Sequence, residues 1–576
     1  MLERRRGSGS GKGDRGLAGT PVSQPKLSWV QTVRQRPGVR WVGLVAALVL
    51  LNGSLTFSNV WPTLGIRLNA DLSVEAALCV LGLVIVRQWR DGPTGTTLRW
   101  LAGLWIVLVI GRYIEVTATS LYGRDISLYW DAQHLPNVGA MFAFVANPWM
   151  KAAVAIFVCL APICLYLMAR LALGSVAEAT RDLRVRRGLG LVATGVLVLS
   201  VAPFFGARLP EVVRFADPVA PAYARELGEL AYEMSGAGIR DLGPATSLTS
   251  DLGRVDGADV FVIFLESYGA VAWDRAEFAE ALAPAQARLA TDIRETGRGV
   301  ASAFVESTTF GGESWLAHIS LLTGTEVRDQ GTNIRLMAQE RDTMVKVFGR
   351  GGYRTIAIMP GLQVGWPEGS FYGFDTIYNH ARLDYHGPSF GWWDVNDQFA
   401  LARVDAAEIA PQPRAPAFVF FTTITTHAPF VPTPPYQPDW ARVLTENPYD
   451  AEALDRAWSS WPDWMNLGPS YLEALDYALA NVGGYLRLRA DRDLVMVLVG
   501  DHQPPALVSG EGASWEVPVH VIANRPAVLD RLLEHHRFVD GLEPRHPATA
   551  RMDTLLPILL DAFSGDGEAA ASGEGR

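Results

Sequence analysis

The chain has few cysteines for its length, and their positions exclude two kinds of site. Only three occur among 576 residues, and all lie in strongly apolar stretches before position 165: Cys79, Cys159 and Cys164. The rest of the chain can therefore form neither a disulfide bond nor a thiolate metal site. Any metal bound there must use carboxylate, imidazole or hydroxyl ligands.

An excess of basic residues is also absent. The chain has 50 Lys and Arg against 60 Asp and Glu, a formal net charge of −10. Because nucleic-acid-binding proteins normally present a basic surface, we expect no nucleic-acid partner. Basic residues are concentrated in 1–36, which is rich in Gly and Ser and has no apolar periodicity. We predict that this segment is a disordered basic tail, and recognise no cleavable signal peptide before the first apolar run.

Long apolar runs, by contrast, are frequent. Hydrophobic residues make up 49% of the chain, more than a single soluble core requires. Five runs are predicted to span a membrane as helices: 41–61, 72–86, 98–117, 150–168 and 189–205. The second run is short and contains Glu75. We therefore expect a transmembrane domain with five helices over 37–206.

The distribution of Arg and Lys between the runs predicts their orientation. The N-terminal tail, 87–99 and 170–187 are the basic segments, and five spans put all three on the same side of the membrane. The positive-inside rule makes that side the cytoplasm. Everything after the fifth run is then expected on the extracytoplasmic face.

Two polar features accompany the apolar runs. Arg112 and Glu115 lie three residues apart near the outer end of the third run, where we expect either a structural ion pair or contact with a lipid head group. The outer loop 122–149 carries Arg124, Asp131 and several aromatic residues, a composition typical of a segment at the head groups. We expect substrate contact in this loop.

The character of the sequence changes after 206. Residues 207–257 contain prolines, charges and one helical pattern, and we predict a membrane-surface linker. In 258–563, short runs rich in Val, Ile and Phe alternate with helical stretches: 260–265, 300–304, 355–359, 417–422, 494–499 and 517–522. This alternation predicts an α/β domain with a largely parallel sheet. The acidic, Gly-rich segment 564–576 is predicted to be a disordered tail.

Polar residues follow two of these runs, at the strand ends where ligands gather in α/β folds. Glu266 comes directly after 260–265, and Asp501 and His502 follow 494–499. Adjacent carboxylate and imidazole groups indicate a divalent-metal site. A helix-capping role is the alternative for Glu266.

A candidate nucleophile lies between these two motifs. Gly311 and Gly312 allow a sharp turn ahead of Ser314, and the apolar pattern that follows predicts a helix with Ser314 near its N-terminus. The N–H groups there favour an anionic phosphoryl group, and a metal would activate the hydroxyl. The alternative is that Ser314 only caps the helix. Thr308 and Thr309 are the substitute candidates.

Two histidines complete the set of candidates. His427 follows the fourth run in the polar stretch Thr425-Thr426-His427, and either protonates a leaving group, binds phosphate or is an ordinary surface residue. His520 lies inside the run 517–522, so we expect it to pack within a strand.

The order of these motifs resembles a known family. The chain reads Leu265-Glu266-Ser267, Gly312-Glu313-Ser314, Thr426-His427 and Gly500-Asp501-His502 behind five apolar runs. This arrangement resembles the lipoteichoic acid synthase or phosphoglycerol transferase-like branch of the sulfatase (alkaline phosphatase) superfamily. The resemblance covers nearly the whole chain after the basic tail.

The resemblance implies a five-helix transmembrane domain followed by an α/β alkaline-phosphatase-like (sulfatase) domain. It also implies that Glu266, Ser314, Asp501 and His502 bind one divalent metal ion. Manganese suits this branch best, and the ligand set also accepts Zn²⁺ or Mg²⁺. Ser314, where many relatives have threonine, is expected to form a covalent phosphoserine, while His427 contacts the substrate.

Sequence differences from three related groups of enzymes bear on which reaction this chain is expected to catalyse. True sulfatases carry Pro and Arg after the modified residue, whereas this chain has Leu316 and His318 in those places. Phosphoethanolamine transferases brace the outer domain with disulfides, which this chain cannot form. One difference argues against phosphoglycerol transfer. The segment 366–370 lacks the arginine that the synthases use to bind substrate, so Arg354 or another base is expected to replace it.

These expectations describe a metal-dependent membrane phosphotransferase in a bacterial inner membrane, with its catalytic domain in the periplasm. It would move a phospholipid head group, phosphoglycerol above all, through phosphoserine to a glycan or lipid acceptor. The alternatives are a sulfatase-like hydrolase or phosphodiesterase, a phosphoethanolamine transferase, and a non-enzymatic scaffold on the same fold. The sequence does not determine the oligomeric state.

Overall fold

The computed structural model describes residues 37–124, 127–235, 248–363, 366 and 369–565. The predicted basic tail, part of the predicted linker and nearly all of the predicted C-terminal tail lie outside these ranges. The α-helices before the main sheet are α1 (Pro37–Thr56), α2 (Val74–Trp89), α3 (Gly95–Tyr122), α4 (Leu128–Asp131), α5 (Leu135–Val145), α6 (Pro148–Ala179), α7 (Leu183–Val201) and α8 (Val219–Ser235).

Each of the five predicted membrane runs contains a helix, but the helices differ in length, and the run 41–61 is helical only to Thr56. Within the described residues, three helices are long and apolar enough to cross a membrane: α3, α6, and α7 with the 3₁₀ turn that extends it to Phe205. The apolar part of α1 is shorter, and α2 has 16 residues. The part of the chain that the structure describes therefore contains three candidate membrane spans, and the count of five remains a prediction.

Glu75 has a structural role that explains an acid in an apolar run. It lies in the first turn of α2, and its Oε1 accepts hydrogen bonds from the backbone N–H groups of Val219 (2.6 Å) and Ala220 (3.3 Å). These are the first N–H groups of α8, which have no partner within that helix. Glu75 thus caps α8 and attaches it to α2.

The basic segments meet at one end of the helices. Arg40 at the start of α1 lies 3.6 Å from Glu178 at the end of α6, and Arg87 at the end of α2 donates to the carbonyl of Ala177. At the opposite end, Trp61 Nε1 donates to the Ala506 carbonyl in the α/β domain (3.0 Å). The α/β domain is therefore attached to the end away from the basic segments.

The predicted ion pair in the third run is present. Arg112 Nη1 lies 3.8 Å from Glu115 Oε2, and the buried guanidinium also donates to the carbonyls of Phe57 and Asp217. Arg112 therefore ties α3 to the chain on either side of it, which is a structural role.

Nine strands form the main sheet, and all six predicted runs are among them. They are β3 (Asp259–Leu265), β4 (Gly299–Glu306), β5 (Arg354–Met359), β6 (Thr376–Asn379), β7 (Ala417–Thr422), β8 (Leu494–Gly500), β9 (Glu516–Ala523), β10 (Val539–Asp540) and β11 (Ala550–Arg551). A two-residue hairpin, β1 (Ser58–Asn59) with β2 (Ile66–Arg67), lies between α1 and α2.

The strand order is β10-β4-β9-β8-β3-β7-β5-β6, with β11 beside β4. The strands from β8 to β6 are parallel, while β9 runs antiparallel to both β8 and β4. The prediction of a largely parallel sheet is confirmed. The carboxyl ends of β8, β3 and β7 consequently meet at one edge, and this edge carries the polar motifs.

Helices cover both faces of the sheet, as expected when its strands are apolar throughout. The remaining α-helices are α9 (Val271–Asp274), α10 (Ala276–Glu295), α11 (Ser314–Thr323), α12 (Gln330–Met337), α13 (Met344–Arg350), α14 (Gly369–Tyr372), α15 (His380–Leu383), α16 (Asp397–Val404), α17 (Trp440–Val443), α18 (Ala451–Trp458), α19 (Gly468–Leu488), α20 (Ala506–Ser509), α21 (Pro526–His535) and α22 (Met552–Phe563).

Alternate residues of β3 supply the two cores. Val262 packs with α11 and α22 on one face, whereas Ile263 packs with α10 and α19 on the other. Leu252 and Val255, inside the predicted linker, are buried in the first of these cores. The last part of that segment therefore packs as part of the α/β domain.

Candidate metal centre and nucleophile

Three side chains predicted as metal ligands meet at the carboxyl edge of the sheet. Glu266 follows β3 directly, and Asp501 and His502 follow β8, its neighbour. One ligand atom from each lies within 4.8 Å of the others, and all three residues are buried. His502 Nε2 is 3.4 Å from Glu266 Oε1 and 3.7 Å from Asp501 Oδ2.

The backbone around this cluster fixes the ligand orientations. Asp501 Oδ1 accepts hydrogen bonds from the backbone N–H groups of Ser267 (2.8 Å) and His502 (2.7 Å). His502 Nδ1 lies 2.7 Å from the Gln503 carbonyl, so an Nδ1–H donates there and leaves Nε2 with a lone pair toward the carboxylates. Glu266 belongs to this cluster rather than to a helix end, so the capping alternative for it is not supported.

The charges in the cluster fit a bound cation. Burial raises the pKa of Asp501 well above its usual range, and the negative charge of Glu266 raises it further. Asp501 Oδ2 is buried and has no hydrogen-bond partner among the described residues. Burial lowers the pKa of His502, which favours the neutral, ligating imidazole. Two carboxylates and one imidazole are a donor set for Zn²⁺, Mn²⁺ or Mg²⁺.

Ser314 contacts this cluster with its hydroxyl group. It is the first residue of α11, its Oγ donates to Glu266 Oε2 (2.8 Å), and the same oxygen lies 3.2 Å from His502 Nε2. The N-cap of α11 is Glu313, and its side chain makes no capping bond. The alternative in which Ser314 merely caps the helix is therefore not supported.

The segment 310–313, which we call the nucleophile loop, has an unusual backbone. Gly311, Gly312 and Glu313 all have positive φ, at 67°, 152° and 60°. Such conformations favour glycine and are uncommon for glutamate. This backbone turns the chain sharply between β4 and α11 so that Ser314 faces the three predicted metal ligands.

The nucleophile loop packs directly against the end of α3. A Cβ atom added at Gly311 would collide with the carbonyl oxygen of Tyr122, and one added at Gly123 would collide with the ring of Phe310. Arg124 lies between Asp131 (2.9 Å) and Glu313 (3.4 Å). The end of a candidate membrane span and the two residues after it thus touch the loop that precedes Ser314.

This close packing predicts a large effect of a methyl group at Gly311. We expect Gly311→Ala to destabilise the protein by about 2 kcal/mol more than Gly257→Ala, because overpacking a tight contact typically costs about 1–3 kcal/mol. Gly257 is a matched control, since it has φ 77° and no atom within 4 Å of an added Cβ. Thermal unfolding of the purified variants measures the difference. Equal melting temperatures would contradict the contact with Tyr122.

The structure places the other sequence candidates as follows. His427 Nδ1 is 2.8 Å from the Ala428 carbonyl, which leaves its Nε2 available, and its ring lies 5.3 Å from that of Trp393. The residue is half-buried, close enough to Glu266 for its charge to lower the pKa of that carboxyl. It is therefore not an ordinary surface histidine.

Three other candidates lie outside the cluster. Thr308 and Thr309 are buried, and Thr309 Oγ1 donates to the Gly312 carbonyl (2.6 Å), so the turn uses it structurally. His520 packs within β9, as predicted, with Tyr268 and Ser302 as hydrogen-bond partners.

The suggested replacement of the missing substrate arginine by Arg354 is wrong. Arg354 begins β5, so it lies at the amino edge of the parallel strands, away from the cluster. Its guanidinium contacts Thr376, Asp375 and Glu408. Residues 367 and 368 of the segment 366–370 lie outside the described residues.

One positioning residue was missed from the sequence. The buried carboxylate of Asp397 accepts hydrogen bonds from the backbone N–H groups of Ile424 (2.8 Å) and Thr425 (2.9 Å), which shapes the loop carrying His427. Burial raises the pKa of Asp397 to about 6. Asp397 is the first residue of α16, a common position for an acidic residue. Nothing in the sequence indicates that it contacts a loop 27 residues away.

Two cavities lie beside segments that adjoin the cluster, although none of Glu266, Ser314, Asp501 and His502 is among their described lining residues. The first, the tryptophan cleft, has a volume of about 330 Å³ and is bounded by Trp392, Trp393, Trp458, Trp461 and His427. The second, the membrane-side cavity, has a volume of about 700 Å³ and lies between the end of α3, the helix α8 and the nucleophile loop. Arg124, Arg225, Arg328 and Arg335 line it, together with four acidic residues.

One protein-family model matches the part of the chain that contains most of the candidate site. The family model described as Sulfatase matches residues 298–521, a segment that contains Ser314, His427, Asp501 and His502. Residues 298–521 are therefore similar to the sulfatase family, and the resemblance drawn from the motifs is confirmed at that level. A search of curated proteins finds no significant match.

Solved structures similar to the chain include membrane and envelope enzymes. The Neisseria meningitidis lipooligosaccharide phosphoethanolamine transferase A is 13% identical, with 91% of this chain and 96% of that one covered and a TM-score of 0.41. The Streptococcus pyogenes phosphoglycerol transferase GacH in complex with sn-glycerol-1-phosphate is 11% identical, covering 59% and 91%, with a TM-score of 0.33. The Listeria monocytogenes lipoteichoic acid synthase LtaP is 14% identical, covering 58% and 79%, with a TM-score of 0.33.

Proposed function

We propose that the protein is a metal-dependent membrane phosphotransferase in which Ser314 carries the head group of a phospholipid. The observation that carries this proposal is the contact of Ser314 Oγ with both Glu266 (2.8 Å) and His502 (3.2 Å) inside a cluster suited to a divalent cation. A hydroxyl group in that position is an activated nucleophile when the cation is bound.

Glu266, Ser314, Asp501 and His502 would hold one divalent metal ion. When bound, the ion supplies Lewis-acid stabilisation of phosphoryl oxygens and lowers the pKa of the serine hydroxyl. The buried, unpartnered Asp501 Oδ2 is the observation in this chain that favours a cation there.

The first half of the reaction uses the residues around Ser314. Its Oγ forms a bond to the phosphorus of the donor, its proton passes to Glu266 Oε2, and the phosphorus–oxygen bond to diacylglycerol breaks. The first N–H groups of α11 point toward the phosphoryl group and stabilise its negative charge. The leaving diacylglycerol oxygen takes up a proton, for which the protonated His427 Nε2 is the proposed donor.

The second half reverses these roles. The hydroxyl oxygen of the acceptor bonds to phosphorus, and the bond from phosphorus to Ser314 Oγ breaks. The acceptor proton passes to His427 Nε2, and Ser314 Oγ regains the proton held by Glu266. Each group thus returns to its starting protonation state at the end of a cycle.

The membrane-side cavity supports a lipid as the donor. Its walls include Thr119 and Gly123 at the end of α3, and Thr309 and Glu313 beside Ser314. A head group entering from the lipid surface would therefore reach the nucleophile loop through a cavity between α3, α8 and the α/β domain. We propose the periplasmic side of a bacterial inner membrane for this domain, on the positive-inside argument, with 37–206 as the membrane domain.

Donor cleavage tests this function. We expect purified protein loaded with Mn²⁺ to release diacylglycerol from phosphatidylglycerol at least about tenfold faster than from phosphatidylethanolamine, a difference of about 1.4 kcal/mol in activation free energy. Lipid chromatography measures the products. The reverse preference would make phosphoethanolamine the group transferred. Release of phosphatidic acid instead of diacylglycerol, or of sulfate from an aryl sulfate, would contradict the proposed reaction.

A further inference from the structure

The tryptophan cleft has a chemistry different from that of the membrane-side cavity. Of the described residues that line it, none is Asp, Glu, Lys or Arg. Its walls are aromatic and proline-rich, with Ser389, Asn396, Thr425, His427 and Ser460 as polar groups. A phosphate or another anion would find no Lys or Arg there, which argues against the cleft as the site for a charged head group.

The two cavities also lie on different sides of the metal cluster. The cleft lies beside the end of β7, through Thr425 and His427, whereas the membrane-side cavity lies beside the end of β4, through Thr308 and Thr309. In the sheet, β9, β8 and β3 lie between these strands, and Asp501 and Glu266 directly follow β8 and β3. A ligand in the cleft therefore approaches the cluster from the side opposite the lipid entrance.

The indole rings are held in place by the protein. Trp458 Nε1 donates to the Ser389 carbonyl (3.0 Å), and Trp393 packs edge-on against His427. Trp393 Nε1 is buried and has no hydrogen-bond partner among the described residues. Trp461 lies at the rim of the cleft and is 71% exposed, so its ring is accessible to a ligand.

We propose that the tryptophan cleft binds an uncharged sugar ring of the acceptor. The C–H groups of a pyranose carry partial positive charge and pack against the negative faces of indole rings, while its hydroxyl groups bond to small polar side chains. The volume of about 330 Å³ lies at the lower end of the roughly 300–1,000 Å³ usual for ligand pockets, which suits one end of a glycan. This inference rests on the proposed function, since it assigns the acceptor of that reaction.

The sugar in the cleft would present a hydroxyl group to His427 Nε2. The oxygen of that hydroxyl then forms the new bond to phosphorus as the bond to Ser314 Oγ breaks, and the hydroxyl proton goes to His427. Trp393, which touches His427 and lines the cleft, is the structural link between sugar binding and the reacting centre.

The test separates sugar binding from donor cleavage. Full-length protein in a detergent without a sugar head group is titrated with neutral tetrasaccharides of glucose, galactose, mannose and N-acetylglucosamine, and binding is followed by tryptophan fluorescence and calorimetry. We expect at least one tetrasaccharide to bind, and Trp461→Ala to weaken its binding about tenfold. Trp464→Ala is the matched control, because Trp464 lies in the same loop, is 48% exposed and does not line the cleft.

Two measurements distinguish failure of the acceptor-site inference from failure of the proposed function. Phosphoserine formation from phosphatidylglycerol is measured without sugar, and the KM of the bound tetrasaccharide as acceptor is measured separately. A raised acceptor KM in Trp461→Ala with normal phosphoserine formation supports the inference. Failure of all tetrasaccharides to bind overturns it, as does equal weakening by Trp464→Ala. Absence of phosphoserine in the unmodified protein that still binds sugar contradicts the proposed function instead.

Discussion

Replacement of Ser314 by alanine is expected to abolish turnover in a protein that remains folded. Its Oγ touches both Glu266 and His502, and Ser314 is the first residue of α11 whereas Glu313 is the N-cap. Removing a nucleophile commonly lowers kcat by about 10⁴-fold or more. Diacylglycerol release and circular dichroism of the same preparation measure activity and folding.

Mass spectrometry locates the covalent intermediate. Protein incubated with phosphatidylglycerol should carry a phosphoglycerol adduct on the peptide containing Ser314, and Ser314→Thr should retain part of the activity because it keeps a hydroxyl group. An adduct on Thr308 or Thr309 would transfer the role to that residue. Full activity in Ser314→Ala would exclude the covalent mechanism.

Asp501→Asn is expected to remove both the metal and the activity. The amide cannot replace a carboxylate ligand, and substitution of even outer-shell partners typically lowers metal affinity or activity about 10–100-fold. We therefore expect a loss of at least about 100-fold in turnover, together with metal content near zero by elemental analysis. Asp476→Asn is the control, since Asp476 is half exposed and pairs with Arg288 far from the cluster.

The same variant has a distinctive effect on stability. In the metal-free protein, burial and the charge of Glu266 raise the pKa of Asp501, so the ionised carboxylate is destabilising there. Asn removes that charge, and we expect metal-free Asp501→Asn to unfold at a temperature no lower than the metal-free unmodified protein. Added Mn²⁺ should then stabilise the unmodified protein alone, because binding to the folded state raises its stability. Stabilisation of the variant by Mn²⁺ would contradict Asp501 as a ligand.

Most of the catalytic fold could be predicted because its signals are local. The continuous apolar runs of β3 and β8 predicted buried parallel strands, and the polar residues that follow them predicted a cluster at one edge. Strands β6, β10 and β11 have two to four residues, too few for a detectable pattern.

Contacts between distant segments could not be predicted in this way. Arg124 and Glu313 are separated by nearly 190 positions, and nothing in either sequence neighbourhood indicates their pairing. The four tryptophans of the cleft come from two segments more than 60 residues apart. Such surfaces arise from tertiary packing, which single-sequence patterns do not encode.

Because Gly311 and Phe310 pack against the end of α3, the α/β domain on its own lacks part of its packing. A fragment that starts after Gly257 would keep all the predicted metal ligands but would lose the surface formed by Tyr122, Gly123 and Arg124. Phe310, now almost fully buried, would face solvent, and the loop ahead of Ser314 would lose one of its supports. If α3 spans the membrane, the thickness of the bilayer sets how far its end protrudes and therefore where it supports the loop ahead of Ser314. We expect activity on the same phospholipid head group to differ between thin and thick bilayers.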